Sequence, residues 1–498
     1  MGVVLALDAG TTGVRAIAFD VTGLPVASAY REFPQYFPRP GWVEHDPDEI
    51  WNALCVVMGD VARSLGELGE SIAAIGITDQ RETVVAWDRS TGDPLHRAIV
   101  WQDRRTADLC DDLRARGALD RIRHATGLVL DPYFSGTKLN WLFTEGGVVP
   151  TPDVAVGTID SWLLWKLTDG AVHATDTTNA SRTMLLDIRT GQWSAELCDL
   201  LGVPAHVLPE VKPSSGRFGS TAASCLLGPG IPISGVAGDQ QASLFGQACF
   251  TPGMAKNTYG TGSFILMNVG TSCPEPVDGL LTTIAWSLPR SDGMIETTYA
   301  YEGAIFATGA TVQWLRDGLG VIGTSGEVTA LAESVPDADG VVIVPAFAGL
   351  GSPWWDPHAR GTVLGITRGT TSAHLARATL EAMAFQTRDV VDAMANAAGF
   401  QLDSLRADGG AASDFVLQLQ ADQIGVSVSR PVVSETTALG AAYLAGLAEG
   451  FWGSLDDISK NWALDRTFVP AGDRARSEEG HQRWLRAVER TRGWTTDL

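Results

Sequence analysis

Asp239 is the residue best placed to accept a proton. It follows an apolar run with strand character, Ile231 to Val236, and opens a segment with helical character. The dipole of a helix favours the ionised form of an aspartate at its N-terminus, so this carboxylate could act as a base. The alternative is that Asp239 only caps the helix, which is the commoner role of an isolated aspartate. The other motifs of the chain favour the first interpretation.

Two glycine turns carry residue types that bind phosphate. Gly10-Thr11-Thr12-Gly13 joins two apolar runs in a predicted β-hairpin, with Asp8 before it and Arg15 after it. Glycines let a phosphate approach the backbone, and threonine hydroxyls and backbone N–H groups donate to its oxygens. An ordinary hairpin is the alternative. A second turn of this kind, Gly260-Thr261-Gly262, also lies between strand-like runs, which favours a duplicated unit.

Polar residues also follow two other predicted strands. Ile72 to Thr78 runs into Asp79-Gln80-Arg81-Glu82-Thr83, and Ala98 to Trp101 runs into Gln102-Asp103-Arg104-Arg105. The sites of α/β proteins tend to lie where strands end. The sequence therefore predicts an α/β protein whose site includes these strand ends.

The helices and strands that position these residues are expected to form at least two domains. A chain of 498 residues is longer than a single hydrophobic core usually supports. The formal net charge of −22 argues against nucleic acid and anionic membranes as partners, although a local turn can still bind phosphate. The six cysteines form no C-x-x-C motif, so neither zinc nor a disulfide framework is indicated. No signal peptide and no apolar run of membrane-spanning length is recognised, and a cytoplasmic enzyme is expected.

Helices are predicted at Ala304 to Leu315, Thr371 to Ala397 and Glu435 to Phe451. The run Gly318 to Gly323 fits G-x-G-x-x-G, but it follows a predicted helix rather than a strand, so a dinucleotide site is rejected. The run Ser135 to Lys138 fits the S-x-x-K motif of a serine nucleophile, but the motifs that accompany it are missing, so this site is also rejected. No P-loop motif occurs in the sequence.

Motifs in the right order over nearly the whole chain resemble the Phe-Gly-Gly-Tyr (FGGY) family of carbohydrate kinases, and within it the members that phosphorylate glycerol. These motifs are Leu7-Asp8 with Gly10-Thr11-Thr12, Pro40 to Pro47, Gln80 to Thr83, Asp131 to Lys138, Gly238 to Gln241, Asn257 to Gly262, Trp355-Asp356-Pro357 and Thr437 to Tyr443. Both general family patterns are also present, around Tyr133 to Glu145 and from Gly361 to Glu381.

The resemblance implies an α/β fold of two ribonuclease-H/actin-like ATPase domains, residues 1–250 and 251–498, with the catalytic site in the cleft between them. It implies ATP-dependent phosphorylation of glycerol to sn-glycerol 3-phosphate, the first step of glycerol catabolism. Magnesium would act with ATP. Glycerol and ATP would be the small-molecule partners, and a homo-oligomer is compatible with the sequence.

The resemblance also implies a role for each matched residue. Asp239 would be the general base. Arginine donates hydrogen bonds while ionised glutamate and aspartate accept them, so these residue types suit a polyol with several hydroxyl groups. An apolar wall suits the C–H face of the same polyol. The substrate residues would be Arg81, Glu82, Trp101, Tyr133, Asp239, Gln240 and Phe264. The nucleotide residues would be Thr11, Thr12, Gly13, Arg15, Thr261, Gly262, Gly309, Gln313, Gly410 and Asp414, and Asp8 would act through magnesium and its waters.

Four residues depart from the family pattern. Gly13-Val14 stands where two serines are common, Ala9 replaces a glutamine, and Asp414 replaces an asparagine beside the adenine. The loop Ala222 to Gly230 lacks the basic sequence and the histidine through which some members are regulated. The alternatives are a kinase of a larger polyol or sugar (xylulose, gluconate, erythritol) and a non-catalytic actin-like module that binds nucleotide.

Overall fold

The computed structural model of the protein describes residues 2–496 as two halves, each built around one mixed β-sheet with helices packed on it. The first half contains β1 (Gly2–Ala9), β2 (Gly13–Phe19), β3 (Pro25–Glu32), β4 (Glu44–His45), α1 (Pro47–Leu68), β5 (Ser71–Asp79), β6 (Val84–Asp88), β7 (Ala98–Ile99), α2 (Ala107–Ala115), α3 (Leu119–Thr126), α4 (Ser135–Thr144), β8 (Val154–Thr158), α5 (Ile159–Leu167), β9 (Ala174–Asp176), α6 (Thr177–Ala180), β10 (Leu186–Asp187), β11 (Gln192–Trp193), α7 (Ala195–Leu201), β12 (Glu210–Lys212), β13 (Ser215–Ser220), β14 (Pro232–Gly238) and α8 (Asp239–Gly246). The second half contains β15 (Met254–Tyr259), β16 (Ser263–Gly270), β17 (Leu281–Pro289), β18 (Ile295–Ile305), α9 (Gly309–Gln313), α10 (Glu327–Glu333), β19 (Val342–Val344), β20 (Thr362–Leu364), α11 (Ser372–Ala398), β21 (Ser404–Asp408), α12 (Asp414–Ile424), β22 (Val428–Pro431), α13 (Thr436–Ala448), α14 (Leu455–Asn461), β23 (Leu464–Phe468) and α15 (Arg474–Thr491).

The two main sheets share one strand pattern. In the first, β3, β2 and β1 are antiparallel neighbours, and β5 and β14 continue the sheet parallel to β1. In the second, β18, β16 and β15 are antiparallel neighbours, and β21 and β22 continue it parallel to β15. The glycine hairpins β1–β2 and β15–β16 therefore occupy equivalent places, which supports the duplication predicted from the sequence.

Helix α13 lies on the first sheet although it belongs to the second half of the sequence. The carbonyl group of Ala441 stands where a side chain at Gly76 of β5 would lie, and the backbone of Ala445 does the same at Gly235 of β14. Only glycine allows so close an approach of a helix to a strand. The domain boundary at residue 250 falls between α8 and β15 and stays a prediction.

The helix predicted at Ala304 to Leu315 is wrong in part. Strand β18 continues to Ile305, and only the short α9 (Gly309–Gln313) and a π-helical turn at Trp314–Gly318 are helical. Pairing of β18 with β16 holds Ala304 and Ile305 extended, so tertiary contacts outweigh the local helical pattern there. The other two predicted helices are confirmed as α11 and α13. Within residues 2–496, no helix combines the length and the apolar character that crossing a membrane requires.

Candidate active site

Two parallel strands of the first sheet bring the main candidate residues together. Strands β5 and β14 are neighbours, and Asp79 at the end of β5 is in register with Gly238 at the end of β14. The residues that follow these strands are therefore adjacent, so Arg81 lies beside Asp239 although the two are far apart in sequence. The Arg81 Nε atom lies 3.1 Å from Asp239 Oδ1.

Arg81 is buried, and its four terminal N–H groups are all engaged. Nη1 donates to Gln241 Oε1 at 3.2 Å and to Glu302 Oε2 at 2.6 Å. Nη2 donates to Glu302 Oε1 at 3.0 Å and to the Tyr133 hydroxyl at 3.3 Å. A guanidinium bound on so many sides has one orientation, which suits a group that must present donors to a substrate.

A second buried arginine, Arg182, joins the same network. Its Nε donates to Glu82 Oε1 at 2.7 Å, and its Nη2 donates to Glu302 Oε1 at 3.0 Å. Burial would raise the pKa of Glu302, but Arg182 and Arg81 outweigh it and lower that pKa to about 2. For Glu82, burial outweighs the attraction of the arginines and raises the pKa.

Glu82 also has an unusual backbone. Its φ is +64°, in the left-handed region that residues other than glycine seldom occupy. This turn follows β5 directly and directs the Glu82 carboxylate to Arg182 instead of letting the chain continue as a strand. Strain of this kind persists where the surroundings hold it, commonly at a site.

Asp239 is the first residue of α8, and its side chain is 31% exposed, so solvent or substrate can reach it. The Gln240 backbone N–H donates to Asp239 Oδ1 at 2.8 Å, and Gln240 Nε2 donates to Oδ2 at 3.1 Å. The ammonium of Lys256, on β15, donates to Gln240 Oε1 and thereby sets which way the Gln240 amide faces. Burial lowers the pKa of Lys256 to about 8.

Three aromatic rings form an apolar wall beside these polar groups. The ring centroids of Trp101 and Tyr133 are 5.6 Å apart, and those of Trp101 and Phe264 are 6.4 Å apart. The Arg81 guanidinium carbon lies 5.9 Å from the centre of the Phe264 ring. Trp101 and Tyr133 come from the first half and Phe264 from the second, so the wall is completed only when both halves are present.

The first glycine hairpin lies next to this wall. Trp101 Nε1 donates to Thr11 Oγ1 at 3.0 Å, and Thr12 is exposed at the tip of the turn. Burial raises the pKa of Asp8 to about 7, with Arg15 acting in the opposite direction. Arg15 forms an ion pair with Glu435, the residue that precedes α13.

Gly13 has no space for a side chain. A Cβ atom there would lie 2.7 Å from the Arg31 carbonyl oxygen and 2.7 Å from the hydroxyl oxygen of Tyr30. The absence of serine at this position is therefore matched by a tyrosine on β3 that brings a hydroxyl group to the same place. The Arg15 guanidinium carbon lies 5.2 Å from the centre of the Tyr30 ring.

The second hairpin is braced by the segment after β18. The Thr308 and Ala310 N–H groups both donate to the Thr261 carbonyl at 2.9 Å, and Gly309 N–H donates to the Gly260 carbonyl at 3.0 Å. A Cβ atom at Gly309 would lie 2.6 Å from that Gly260 oxygen. Gly309 is therefore required for the close approach of this segment to the hairpin.

The remaining nucleotide candidates line the outer part of the second half. Gly410 is exposed, and no heavy atom would come within 4 Å of a Cβ placed there; Gln313 is exposed at the end of α9. Asp414 begins α12, where Arg430 Nη1 lies 2.7 Å from its carboxylate and Arg466 forms a second ion pair. The carboxylate that replaces a family asparagine is thus neutralised by two arginines.

The sequence reasoning missed four residues of this site: Gln241, Arg182, Lys256 and Glu302. Two of them carried a local signal, because Lys256 and Glu302 are charged residues within runs of mostly uncharged residues, and both lie in the buried parts of their strands. A charge in such a place is expected to have a partner. Arg182 lies in a polar loop-like stretch and carried no such signal.

Known proteins share both the sequence and the fold. The N-terminal domain of the FGGY family of carbohydrate kinases matches residues 3–246, and the C-terminal domain of that family matches residues 255–449. The glycerol kinase of Carboxydothermus hydrogenoformans is 54% identical over 499 residues, and the match covers 99% of each chain.

Among solved structures, a Plasmodium falciparum glycerol kinase with ADP matches with a TM-score of 0.92 and 36% identity, over 99% of this chain and 98% of that one. A ligand-bound xylulose kinase from Lactobacillus acidophilus matches with a TM-score of 0.87 and 24% identity, over 98% and 97%, and shows the shared fold alone. The predicted fold class, two actin-like domains with a cleft between them, is confirmed.

Proposed function

The chain belongs to the FGGY family of carbohydrate kinases, and we propose that it transfers the γ-phosphoryl group of ATP to glycerol, giving sn-glycerol 3-phosphate and ADP. One observation carries the choice of reaction: a partly exposed carboxylate, Asp239, lies beside a fully engaged guanidinium, Arg81, next to an aromatic wall. This arrangement offers a proton acceptor, a donor and an apolar surface to one small polyol.

In this proposal Asp239 orients the attacking glycerol hydroxyl and takes its proton. A carboxylate in this role is typical of phosphoryl transfer, where most of the catalysis is positioning and charge neutralisation. Arg81 Nε and the Tyr133 hydroxyl stand on the same side as Asp239 and bind the other hydroxyl groups. Glu82 and Gln240 complete the polar side, while Trp101 and Phe264 contact the carbon chain.

The two glycine hairpins would hold the phosphates of ATP, the first through Thr11, Thr12 and Arg15 and the second through Thr261 and Gly262. Gly309, Gln313, Gly410 and Asp414 would border the nucleoside.

Asp8 fits a magnesium ion that keeps most of its waters. The ion prefers oxygen ligands and commonly binds through one or two carboxylates and substrate phosphates. Burial and the nearby carboxylates of Asp239 and Glu435 make the ionised form of Asp8 costly without a cation, which raises its pKa to about 7. Within residues 2–496 no three metal-binding side chains converge, so the protein supplies few direct ligands. When bound, magnesium would neutralise charge on the phosphates of ATP.

The aromatic wall suits the carbon side of a short polyol. Trp101 makes edge-to-face contacts with Tyr133, at 5.6 Å between ring centroids, and with Phe264, at 6.4 Å, so the three rings form one apolar surface to which both halves contribute. The choice of glycerol over a longer sugar is supported by the 54% identity to a glycerol kinase over nearly the whole chain.

The test is a coupled assay of ADP release with MgATP, run with glycerol, xylulose, gluconate, erythritol and no acceptor. We expect glycerol-dependent ADP release with the highest kcat/KM for glycerol, and a phosphorus NMR signal from sn-glycerol 3-phosphate. Equal ADP release with and without glycerol would contradict the proposal, and a higher kcat/KM for xylulose or gluconate would transfer it to that substrate.

A further inference from the structure

Glu302 reaches the polyol side of the cleft from the opposite half of the molecule. It lies on β18 in the second sheet, and its side chain is fully buried. Its two carboxylate oxygens accept from both terminal nitrogens of Arg81, at 2.6 and 3.0 Å, and Oε1 also accepts from Arg182 Nη2 at 3.0 Å. The two arginines belong to the first half, so this carboxylate joins the halves at the site.

The two-point contact determines how Arg81 is turned. The edge of the guanidinium formed by Nη1 and Nη2 faces Glu302, and the second N–H of Nη1 donates to Gln241. The N–H groups left for the cleft are Nε, beside Asp239, and the second one of Nη2, which donates to Tyr133. Rotation of the guanidinium would take both away from the cleft, and bidentate pairing to a carboxylate opposes that rotation.

We propose that Glu302 is a positioning residue for polyol binding, which holds Arg81 so that its Nε and Nη2 face Asp239 and Tyr133. The inference rests on the proposed function and deepens it, because it makes the polyol site depend on a residue of the second half. Phe264 is also contributed by that half, so both the polar and the apolar sides of the polyol site are shared.

Charge supports the same conclusion. Arg81 and Arg182 are like charges that share the Glu302 carboxylate, and Glu82 lies close to both. Removing the negative charge of Glu302 leaves two buried guanidiniums beside each other with one fewer counter-ion. Arg81 would then lose the contact that opposes its rotation, and its Nε and Nη2 could turn away from Asp239 and Tyr133.

The test compares Glu302→Gln with the wild type for glycerol KM, ATP KM, kcat and Tm. We expect glycerol KM to rise about 10- to 100-fold, the range for losing a hydrogen bond to a charged group, with ATP KM changed less than about twofold. The control is Glu381→Gln on α11, which removes the carboxylate charge of a part-buried Arg–Glu pair away from the site, formed with Arg377 in the second half. The control should leave glycerol KM unchanged.

A second variant keeps the inference testable if Glu302→Gln does not fold. Glu302→Asp retains the charge but is one methylene shorter, so it can reach only part of the Arg81 edge, and glycerol KM should rise about three- to tenfold. A purely structural residue would lower Tm and the amount of active protein while leaving glycerol KM unchanged in both variants, and that result would overturn the inference. Wild-type protein without glycerol-dependent turnover would instead contradict the proposed function.

Discussion

The hairpin tip at residues 10–13 and the tip at residues 260–262 occupy the same place in two similar sheets, yet their surroundings differ. The second is braced by three backbone hydrogen bonds from the segment after β18. The first instead contacts side chains, since Trp101 donates to Thr11 and Tyr30 fills the space beside Gly13. The second tip also accepts hydrogen bonds from the Thr308 hydroxyl and requires glycine at position 309, whereas the first tip is bordered by the aromatic side chains of Trp101 and Tyr30.

The strands before the two tips differ in charge as well. Ala9 and Tyr259 are the last paired residues before each tip, so Asp8 of the first sheet corresponds to Thr258 of the second, and Ala6 corresponds to Lys256. An acidic group thus stands in one hairpin strand and a basic group in the other. The duplicated backbone provides two similar glycine turns, and different side chains on it make the two strands chemically different.

Both hairpins are proposed to bind ATP and neither to accept the proton, so the largest loss of turnover should come from a residue outside both. Asp239→Asn keeps the shape of the side chain and removes the charge that accepts the proton. We expect kcat to fall about 10²- to 10⁴-fold, the usual contribution of a general base, with ATP KM close to wild type. Asp239 is the first residue of α8 and Gly238 its N-cap, and the asparagine oxygen can still accept from the Gln240 N–H, so Tm should be nearly unchanged. A stable variant with near-normal kcat would remove Asp239 from proton transfer.

The charge difference between the hairpin strands is tested by Lys256→Met. The variant removes the ammonium that donates to Gln240, and we expect kcat/KM for glycerol to fall about tenfold or more. The Lys256 ammonium is present below its pKa of about 8 and is lost as the pH rises through that value. Its charged neighbours are Asp408, Asp239, Arg81 and Glu302. Wild-type kcat/KM should therefore fall between pH 7 and pH 9, and the variant should lack this fall; parallel profiles would contradict the assignment.

The matched pair Thr11→Val and Thr261→Val tests whether only the first hairpin is tied to the polyol side. Both variants lose a hydroxyl group and should raise ATP KM about two- to tenfold, the effect of one neutral hydrogen bond. Only Thr11→Val also breaks the contact with Trp101, so only this variant should raise glycerol KM. Equal effects of the two variants on glycerol KM would remove the distinction between the hairpins.

The smallest expected effect concerns the tyrosine beside Gly13. Tyr30→Phe keeps the ring and its contact with Arg15 but removes the hydroxyl group that lies where a serine side chain would be. If this hydroxyl contributes to phosphate binding, ATP KM should rise about two- to fivefold, with glycerol KM and Tm unchanged. An unchanged ATP KM would show that the first tip binds phosphate through its own residues only.

Much of the fold could be predicted from the sequence because its signals are local. Short apolar runs broken by Gly-Thr turns predicted both hairpins, and long periodic stretches predicted α11 and α13. The motifs also marked the residues now found around Asp239. The partial failure at Ala304 to Leu315 has the opposite cause, since the pairing of β18 with β16 overrides a local pattern.

The network behind those residues was decided by the tertiary structure alone. Arg81 and Glu302 are 221 positions apart, and Arg182 and Glu302 are 120 positions apart, so no local pattern connects them. By itself the sequence determined the residue types, the two glycine turns and the family. Which carboxylate turns Arg81 toward the cleft depends on how two sheets pack against each other, because a buried ion pair forms only between groups that the fold brings together.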